Sequence, residues 1–405
     1  MIQTHSDQLV DDTRAALQNV RRALIELFAA TGVDHGQPVE VAKRIGFHKN
    51  MAWRISRVIS ATDPFAALAH LPGSSGLEIA LEAFSKFGAP PAALESVRQA
   101  LRDLESVVVR HAGDRAHLEL ILDSMGLLGA ENQLEGSREM FYRGASGLWG
   151  VHAKTRLQSC FLMPSRTGAS RHDVVMVGGL LGFRRLRPTA TWRLFKSQLH
   201  DDRGQPMNGQ PFMERFETGG NGDDPPHVVR RFCSPNMPRL ETVPSGDNKL
   251  EHLLPGGPVG NLGAFDCVIA NIVRDLPAGA SPGNEFASFA ASESLPVEQL
   301  IFDLIVHRSI TDADNPEVSV FGFPHGGPDD PGAQRRQNLL PVSATFSELA
   351  GSPPAVATPL VPRYTEIMLA VFERMGVKPG EFRGRRMTLK YPPMSSMVVA
   401  KWRLP

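Results

Sequence analysis

Apolar residues recur at helical spacing through the first third of the chain. Between residues 11 and 30 they stand at positions 16, 20, 23, 24, 27 and 28, which predicts an amphipathic helix that Gly32 ends. Stretches of similar character cover 76–87, 91–109, 114–125 and 135–149. The pattern therefore predicts an all-α region over the first 150 residues.

The spacing of apolar residues changes beyond residue 157. Short apolar runs bounded by Pro, Gly, Asp or Ser predict strands at 160–163, 174–181, 267–273, 302–306 and 318–323. Helical spacing returns from Tyr364 to Met375 and ends at Gly376, and two strands joined near Tyr391 follow. Segment 216–261 is rich in Gly, Pro and Asp and predicts irregular chain. The expected fold class is α+β, an all-α N-terminal region followed by a mixed α/β domain with short strands.

Three segments follow from these changes of pattern. They are a helix-turn-helix domain at 1–62, a helical linker or dimerisation region at 63–150, and a mixed α/β domain at 151–405. The helix over 91–109 carries an apolar stripe at positions 94, 97, 101, 104 and 108 that is barely two heptads long. We expect this stripe to pack within its own chain, and a homodimer seam is the alternative.

Residues 38–57 meet the requirements of a helix-turn-helix in one register. A small residue, Ala42, stands fifth, where two helices cross closely, and Gly46 stands ninth, where the turn needs left-handed backbone. The positions around the crossing that require apolar side chains are occupied by Val41, Ile45, Phe47, Ala52 and Ile55. This stretch of about twenty residues resembles the helix-turn-helix of bacterial DNA-binding transcription regulators. No β-hairpin pattern follows it, so a winged form is not expected.

Charge is distributed in a way that agrees with this resemblance. Lys+Arg and Asp+Glu balance at 43 each, which argues against a chain that coats nucleic acid along its whole length. Between Val41 and Thr62, however, there are five cations and no Asp or Glu. A local basic surface of this kind supplies phosphate contacts, the main source of sequence-independent affinity for DNA.

The resemblance implies a set of DNA-contacting residues. The second helix would begin near His48 and lie in the major groove of double-stranded DNA. The candidate residues are Lys43, Arg44, His48, Lys49, Asn50, Trp53, Arg54 and Arg57. Asn50 would read an adenine edge and Arg54 a guanine edge, whereas Lys43 and Lys49 would contact phosphate. Trp53 is bulky, and packing toward the interior is the alternative for it.

Beyond residue 150 the sequence carries no catalytic or cofactor-binding signature, so no catalytic residue, cofactor or metal ligand is predicted. Two basic clusters, 183–187 and 383–386, are interpreted as solvated loops, with anion binding as the alternative. The three cysteines are far apart and indicate reduced thiols. No signal peptide or apolar run of about 18 residues is evident, so we expect a cytoplasmic protein without a membrane partner.

The sequence therefore favours a DNA-binding transcriptional regulator that is not an enzyme. Its C-terminal domain would sense a ligand or bind a partner, with a small-molecule effector and a second copy of the chain as possible partners. One alternative is an enzyme with its chemistry in the C-terminal domain. The other is a non-catalytic module whose helix-turn-helix binds protein. His, Asp or Arg side chains that converge in a pocket would favour the enzyme alternative. Retention of the protein on DNA at low salt would argue against the protein-binding alternative.

Overall fold

The chain forms two compact units, Met1–Leu134 and Glu135–Pro405, here called the helical unit and the sheet unit. The computed structural model describes residues 2–128, 134–198, 213–217, 225, 227–245, 249–281, 285–323, 334 and 336–405. The predicted boundaries at 62 and 150 do not coincide with this division. Residues beyond 62 share one apolar core with the helix-turn-helix segment, and the helix before residue 150 belongs to the sheet unit.

The helical unit is built around its long first helix. Its helices are α1 (Ile2–Thr31), α2 (Pro38–Ile45), α3 (Lys49–Ser60), α4 (Pro64–Leu68), α5 (Ser74–Phe87), α6 (Pro91–His111) and α7 (Arg115–Ser124). The apolar stripe of α6 packs along α1 in the same core: Leu94, Val97, Leu104 and Val108 are buried, and Leu101 is half-buried. The expectation that this stripe packs within its own chain is confirmed.

Helix α4 begins with a side-chain cap and a proline. Asp63 caps α4 by accepting a hydrogen bond from the Phe65 amide at 3.2 Å, and Pro64 fills the first helical position. Within the described part of this unit, α3 is followed by α4 and α5 and by no strand, in agreement with the expected absence of a wing.

The sheet unit places α8 before a central sheet and α9 near its end. Its helices are α8 (Glu135–Trp149) and α9 (Tyr364–Met375), and α9 ends at the predicted Gly376. Its strands are β1 (Val151–Ser165), β2 (Gly168–Arg185), β3 (Trp192–Gln198), β4 (Met213–Arg215), β5 (Glu241–Ser245), β6 (Lys249–Leu254), β7 (Phe265–Pro277), β8 (Phe286–Glu293), β9 (Val297–His307), β10 (Glu317–Gly322), β11 (Ser347–Leu349), β12 (Phe382–Lys390) and β13 (Ser396–Arg403).

Three sheets arrange these strands. The central sheet has the order β11-β12-β9-β1-β2-β7-β4, in which only β1 and β9 pair in parallel. The smaller sheets have the orders β10-β13-β8 and β3-β6-β5. Helices concentrated in front and strands behind confirm the α+β class. None of the described helices combines the length and the apolar character needed to cross a membrane.

Both faces of the central sheet are covered. Phe161 and Ile305 share one core with α9, whereas Leu162 and Leu304 share a second core with β8, β10 and β13. Side chains of a strand alternate between faces, so strands covered on both sides read as continuous apolar runs. This burial explains the apolar runs by which the sequence predicts parts of β1, β2, β7 and β9.

The two basic clusters lie mainly on strands, and the interpretation as solvated loops was wrong for all but Leu186 and Arg187, which are exposed after β2. Residues 183–185 end β2 and residues 383–386 lie on β12, which pairs with β9 and β11. Arg185 is only 1% exposed and donates to the Pro255 carbonyl, and Arg383 donates to the His307 and Ile310 carbonyls. Their charges are used to bind backbone oxygens at strand ends. The segment 216–261, expected to be irregular, contains β5 and β6.

A substitution pair tests the packing of the α6 stripe. Leu104→Ala should lower the free energy of unfolding of the helical unit by about 2–4 kcal/mol, because it leaves a cavity against α1. Leu101→Ala should cost less, because Leu101 is only half-buried. Chemical denaturation followed by circular dichroism measures both. A loss that grows on dilution of the protein would instead place the stripe between two chains.

Candidate nucleic-acid interface

A three-residue turn sets the crossing of α2 and α3. Gly46 adopts left-handed backbone with φ +90°, and its amide donates to the Ala42 carbonyl at 3.0 Å. A Cβ atom at Gly46 would meet nothing within 4 Å, so only the backbone conformation favours glycine here. Of the predicted register, Val41, Ala42, Ile45, Ala52 and Ile55 are buried, and Phe47 is half-buried against the same core.

Helix α3 has one buried and one exposed face. Its buried residues are Ala52, Ile55, Ser56, Val58 and Ile59. The exposed residues are Lys49, Asn50, Trp53, Arg57 and Ser60. At 3.6 residues per turn these exposed positions fall within an arc of about 100°. The helix therefore presents a single stripe of polar, basic and aromatic side chains.

Hydrogen bonds hold both ends of α3. His48 is the N-cap, and its Nδ1 accepts from the Asn50 amide at 3.2 Å. Near the other end, Arg21 of α1 donates from Nε to the Ile59 carbonyl at 2.7 Å. Ser56 donates from Oγ to the His35 carbonyl at 2.5 Å. These contacts fix the axis of α3 relative to α1, and they occupy one ring nitrogen of the candidate His48.

Four candidate cations are exposed and carry no ion pair. Lys43, Arg44, Lys49 and Arg57 are exposed, and no salt bridge of the described residues includes any of them. Arg44 lies 5.8 Å from the Phe87 ring centroid, and Arg57 lies 5.4 Å from that of Trp53. Cation–π contacts at exposed sites are weak, so these guanidinium groups stay available to an anionic partner.

Arg54 is placed differently from the expectation that it reads a guanine edge. It is half-buried, and its Nε and Nη2 donate to the His70 and Leu71 carbonyls at 3.1 and 3.0 Å. These carbonyls follow α4, so Arg54 ties α3 to the segment before α5. A guanidinium committed to two backbone oxygens has fewer donors left for a base. Its partners lie 16 and 17 residues away in sequence, which no local pattern reveals.

Trp53 lies on the exposed face and does not pack toward the interior. Its side chain is 44% exposed, and its ring meets that of His70 edge to face at a centroid distance of 5.5 Å. Burial lowers the pKa of His70, and the nearby Arg57 and Arg54 lower it further. His70 therefore favours its neutral form beside Trp53, because protonation would add a positive charge close to Arg57 and Arg54.

The sheet unit contains a polar network in its core. The Tyr364 hydroxyl donates to Asp303 Oδ2 at 2.7 Å, and the Arg386 guanidinium binds both Asp303 oxygens. Burial raises the pKa of Asp303, which Arg386 opposes. Asp303 and Tyr364 are both 0% exposed. We interpret the network as structural because substrate could not reach its atoms.

Metal-ligating and thiol groups give no second site. Within the described ranges, no group of three or more His, Cys, Asp or Glu side chains could hold a metal ion. The cysteines Cys160, Cys233 and Cys267 are buried and form no disulfide, and burial raises the pKa of Cys160 to about 12. A thiol that stays protonated is a poor nucleophile, so Cys160 serves packing.

Comparison with known proteins does not identify a family. No family model and no curated protein matches the chain. Among solved structures, one match is a candidate protease from Parabacteroides distasonis, with 8% identity, a TM-score of 0.25 and coverage of 63% of this chain and 41% of that chain. Another is a mutant two-domain M1 zinc metallopeptidase bound to L-tryptophan, with 10% identity, a TM-score of 0.24 and coverage of 62% and 43%. The matched regions thus span less than half of either solved chain, and similarity this low assigns no function.

Two arginines one helical turn apart provide a test of the placement of Arg54. Arg54→Ala should lower the free energy of unfolding of the helical unit by about 1–3 kcal/mol, because the His70 and Leu71 carbonyls lose charged donors. Arg57→Ala removes the same charge from an exposed position and should change it by less than about 0.5 kcal/mol. Equal effects in chemical denaturation would show that Arg54 does not hold this segment.

Proposed function

We propose that the helical unit binds double-stranded DNA, with α3 in the major groove. The observation that carries this proposal is the exposed face of α3. It combines unpaired cations with an exposed amide side chain on a helix whose ends and crossing angle are fixed. A hairpin that binds protein would not require four cations without ion pairs. Nor would it require that Asp and Glu be absent between Val41 and Thr62.

The proposed contacts divide into two classes. Lys43, Arg44, Lys49 and Arg57 supply positive charge to phosphate, because they are exposed and free of ion pairs. Asn50 lies in the first turn of α3, and no hydrogen bond of the described residues uses its side chain. A side-chain amide in this position can accept a hydrogen bond from N6 of adenine and donate one to N7. Trp53 adds an apolar contact, and Arg54 is assigned to holding α3 in place.

This proposal makes the protein a DNA-binding transcriptional regulator that works in the cytoplasm. The sheet unit would then sense a small molecule or bind a partner. Recognition of a two-fold site would require a homodimer. The α6 stripe is buried within its own chain, so a dimer would need another surface.

The salt dependence of binding tests the phosphate contacts. Lys49→Ala should weaken binding to every duplex alike and reduce the slope of log K against log salt by about one unit. Arg110→Ala is the control, because it also removes one exposed positive charge, at the C-terminal end of α6, but from a residue that pairs with Asp12 at 3.6 Å. It should leave the slope unchanged. Fluorescence anisotropy with labelled duplexes across a salt series gives both slopes.

Equal slopes for the Lys49 variant and the wild-type protein would contradict the phosphate assignment. A protein whose Lys43, Lys49, Asn50 and Arg57 all become Ala without loss of DNA affinity at low salt would instead support the protein-binding module.

Selection of bound sequences from random duplex DNA tests the base contact. Asn50→Ala should cost about 1–3 kcal/mol on the best wild-type site and relax the preference at one base position. The salt slope should stay the same, because no charge is lost. A uniform loss of affinity over all sequences would assign Asn50 to the DNA backbone.

A further inference from the structure

A cavity of 520 Å³ in the sheet unit has a buried acid in its wall. Glu293 lines it at the end of β8, together with the aromatic residues Trp149, Trp192 and Phe323. Four serines also line it: Ser292, Ser294, Ser395 and Ser396. The volume lies in the range of small-molecule sites, which combine an apolar wall with a few placed polar groups.

The carboxyl group of Glu293 lacks a partner. Glu293 is 2% exposed, and its Oε1 is buried with no hydrogen bond. It continues the inward-facing alternation of Phe289 and Ala291 along β8, which places its side chain between the two sheet layers. A buried charge without a partner is costly, and the free protein avoids this cost by raising the pKa of Glu293 to about 7.

Neighbouring cations form no ion pair with this acid within 4 Å. Arg156 on β1 lowers the Glu293 pKa through its charge, but no ion pair within 4 Å joins the two described side chains. Arg193 lines the cavity and binds Glu251 at 3.0 Å. Glu293 is therefore the acidic side chain of the described wall whose Oε1 has no hydrogen-bond donor.

Aromatic side chains form another part of the cavity wall. Trp149 and Trp192 meet edge to face at a centroid distance of 5.7 Å, and Trp149 is 52% exposed. Indole faces attract cations and cover apolar groups equally well. The segment around Ser395 is held in place, because its amide donates to the Glu293 carbonyl at 2.7 Å and its carbonyl accepts from Phe323 at 2.9 Å.

We propose that this cavity binds a small organic cation, a protonated amine on an apolar or aromatic body, whose ammonium group donates to Glu293. Carboxylate and ammonium form charge-assisted hydrogen bonds, and the indoles cover the rest of the ligand. Such a ligand would be the effector that a regulator senses. The binding itself does not depend on DNA recognition by the helical unit, so either proposal can fail alone.

Binding of matched probes to the full chain tests this proposal. 2-Phenylethylammonium should bind with a dissociation constant near or below about 1 mM, at least about tenfold tighter than the neutral 2-phenylethanol. Glu293→Gln keeps the shape of the side chain and should abolish the difference between the probes. Calorimetry and tryptophan fluorescence at neutral pH measure these affinities. Circular dichroism and the melting temperature report whether the variant folds.

Steric variation supplies a second arm if Glu293→Gln fails to fold. Ser294→Trp at the exposed residue after β8 should block the cavity and weaken both probes about equally. Three results would overturn the proposal: no saturable binding of the ammonium probe at about 10 mM, equal affinity of the two wild-type complexes, or unchanged ammonium affinity in whichever variant folds.

Discussion

The proposed DNA surface depends on the crossing of α2 and α3, which is fixed by backbone rather than by large side chains. Gly46 closes the turn in the left-handed region, and the small buried Ala42 and Ala52 let the two helices approach. The crossing in turn decides which residues of α3 are buried. Every exposed candidate on α3 faces solvent because Ala52, Ile55 and Ile59 face the core.

A helix that reads DNA must also resist rotation about its own axis. Arg21 and Arg54 supply this resistance by donating to backbone carbonyls: Arg21 of α1 binds a carbonyl of α3, and Arg54 of α3 binds two carbonyls of the segment after α4. Cations of this stretch thus divide by burial into those that hold the helix and those that remain for a ligand. The same division occurs in the sheet unit, where Arg185, Arg383 and Arg386 bind backbone oxygens or Asp303.

Periodic burial is the part of this fold that the sequence predicts well. The helix-turn-helix register, the limits of α9 and the strands covered on both faces all follow from it, because each places apolar residues at a fixed spacing. Long-range polar contacts are not periodic, so the partners of Arg54, the strand location of Arg383 and the contact of Arg386 with Asp303 were not predicted. Glu293 was missed because β8 consists mainly of Ala, Ser and Phe, and its inward alternation is weak.

The two proposed sites lie in different units, and this separation limits what a ligand could do. An amine bound beside Glu293 changes DNA affinity only if its binding free energy differs between the free protein and the DNA complex. By linkage, DNA must then change the affinity for the amine by the same factor. Each unit has its own apolar core. Regulation would therefore need a conformational equilibrium that involves both units, and binding of amine without any effect of DNA would show two independent functions in one chain.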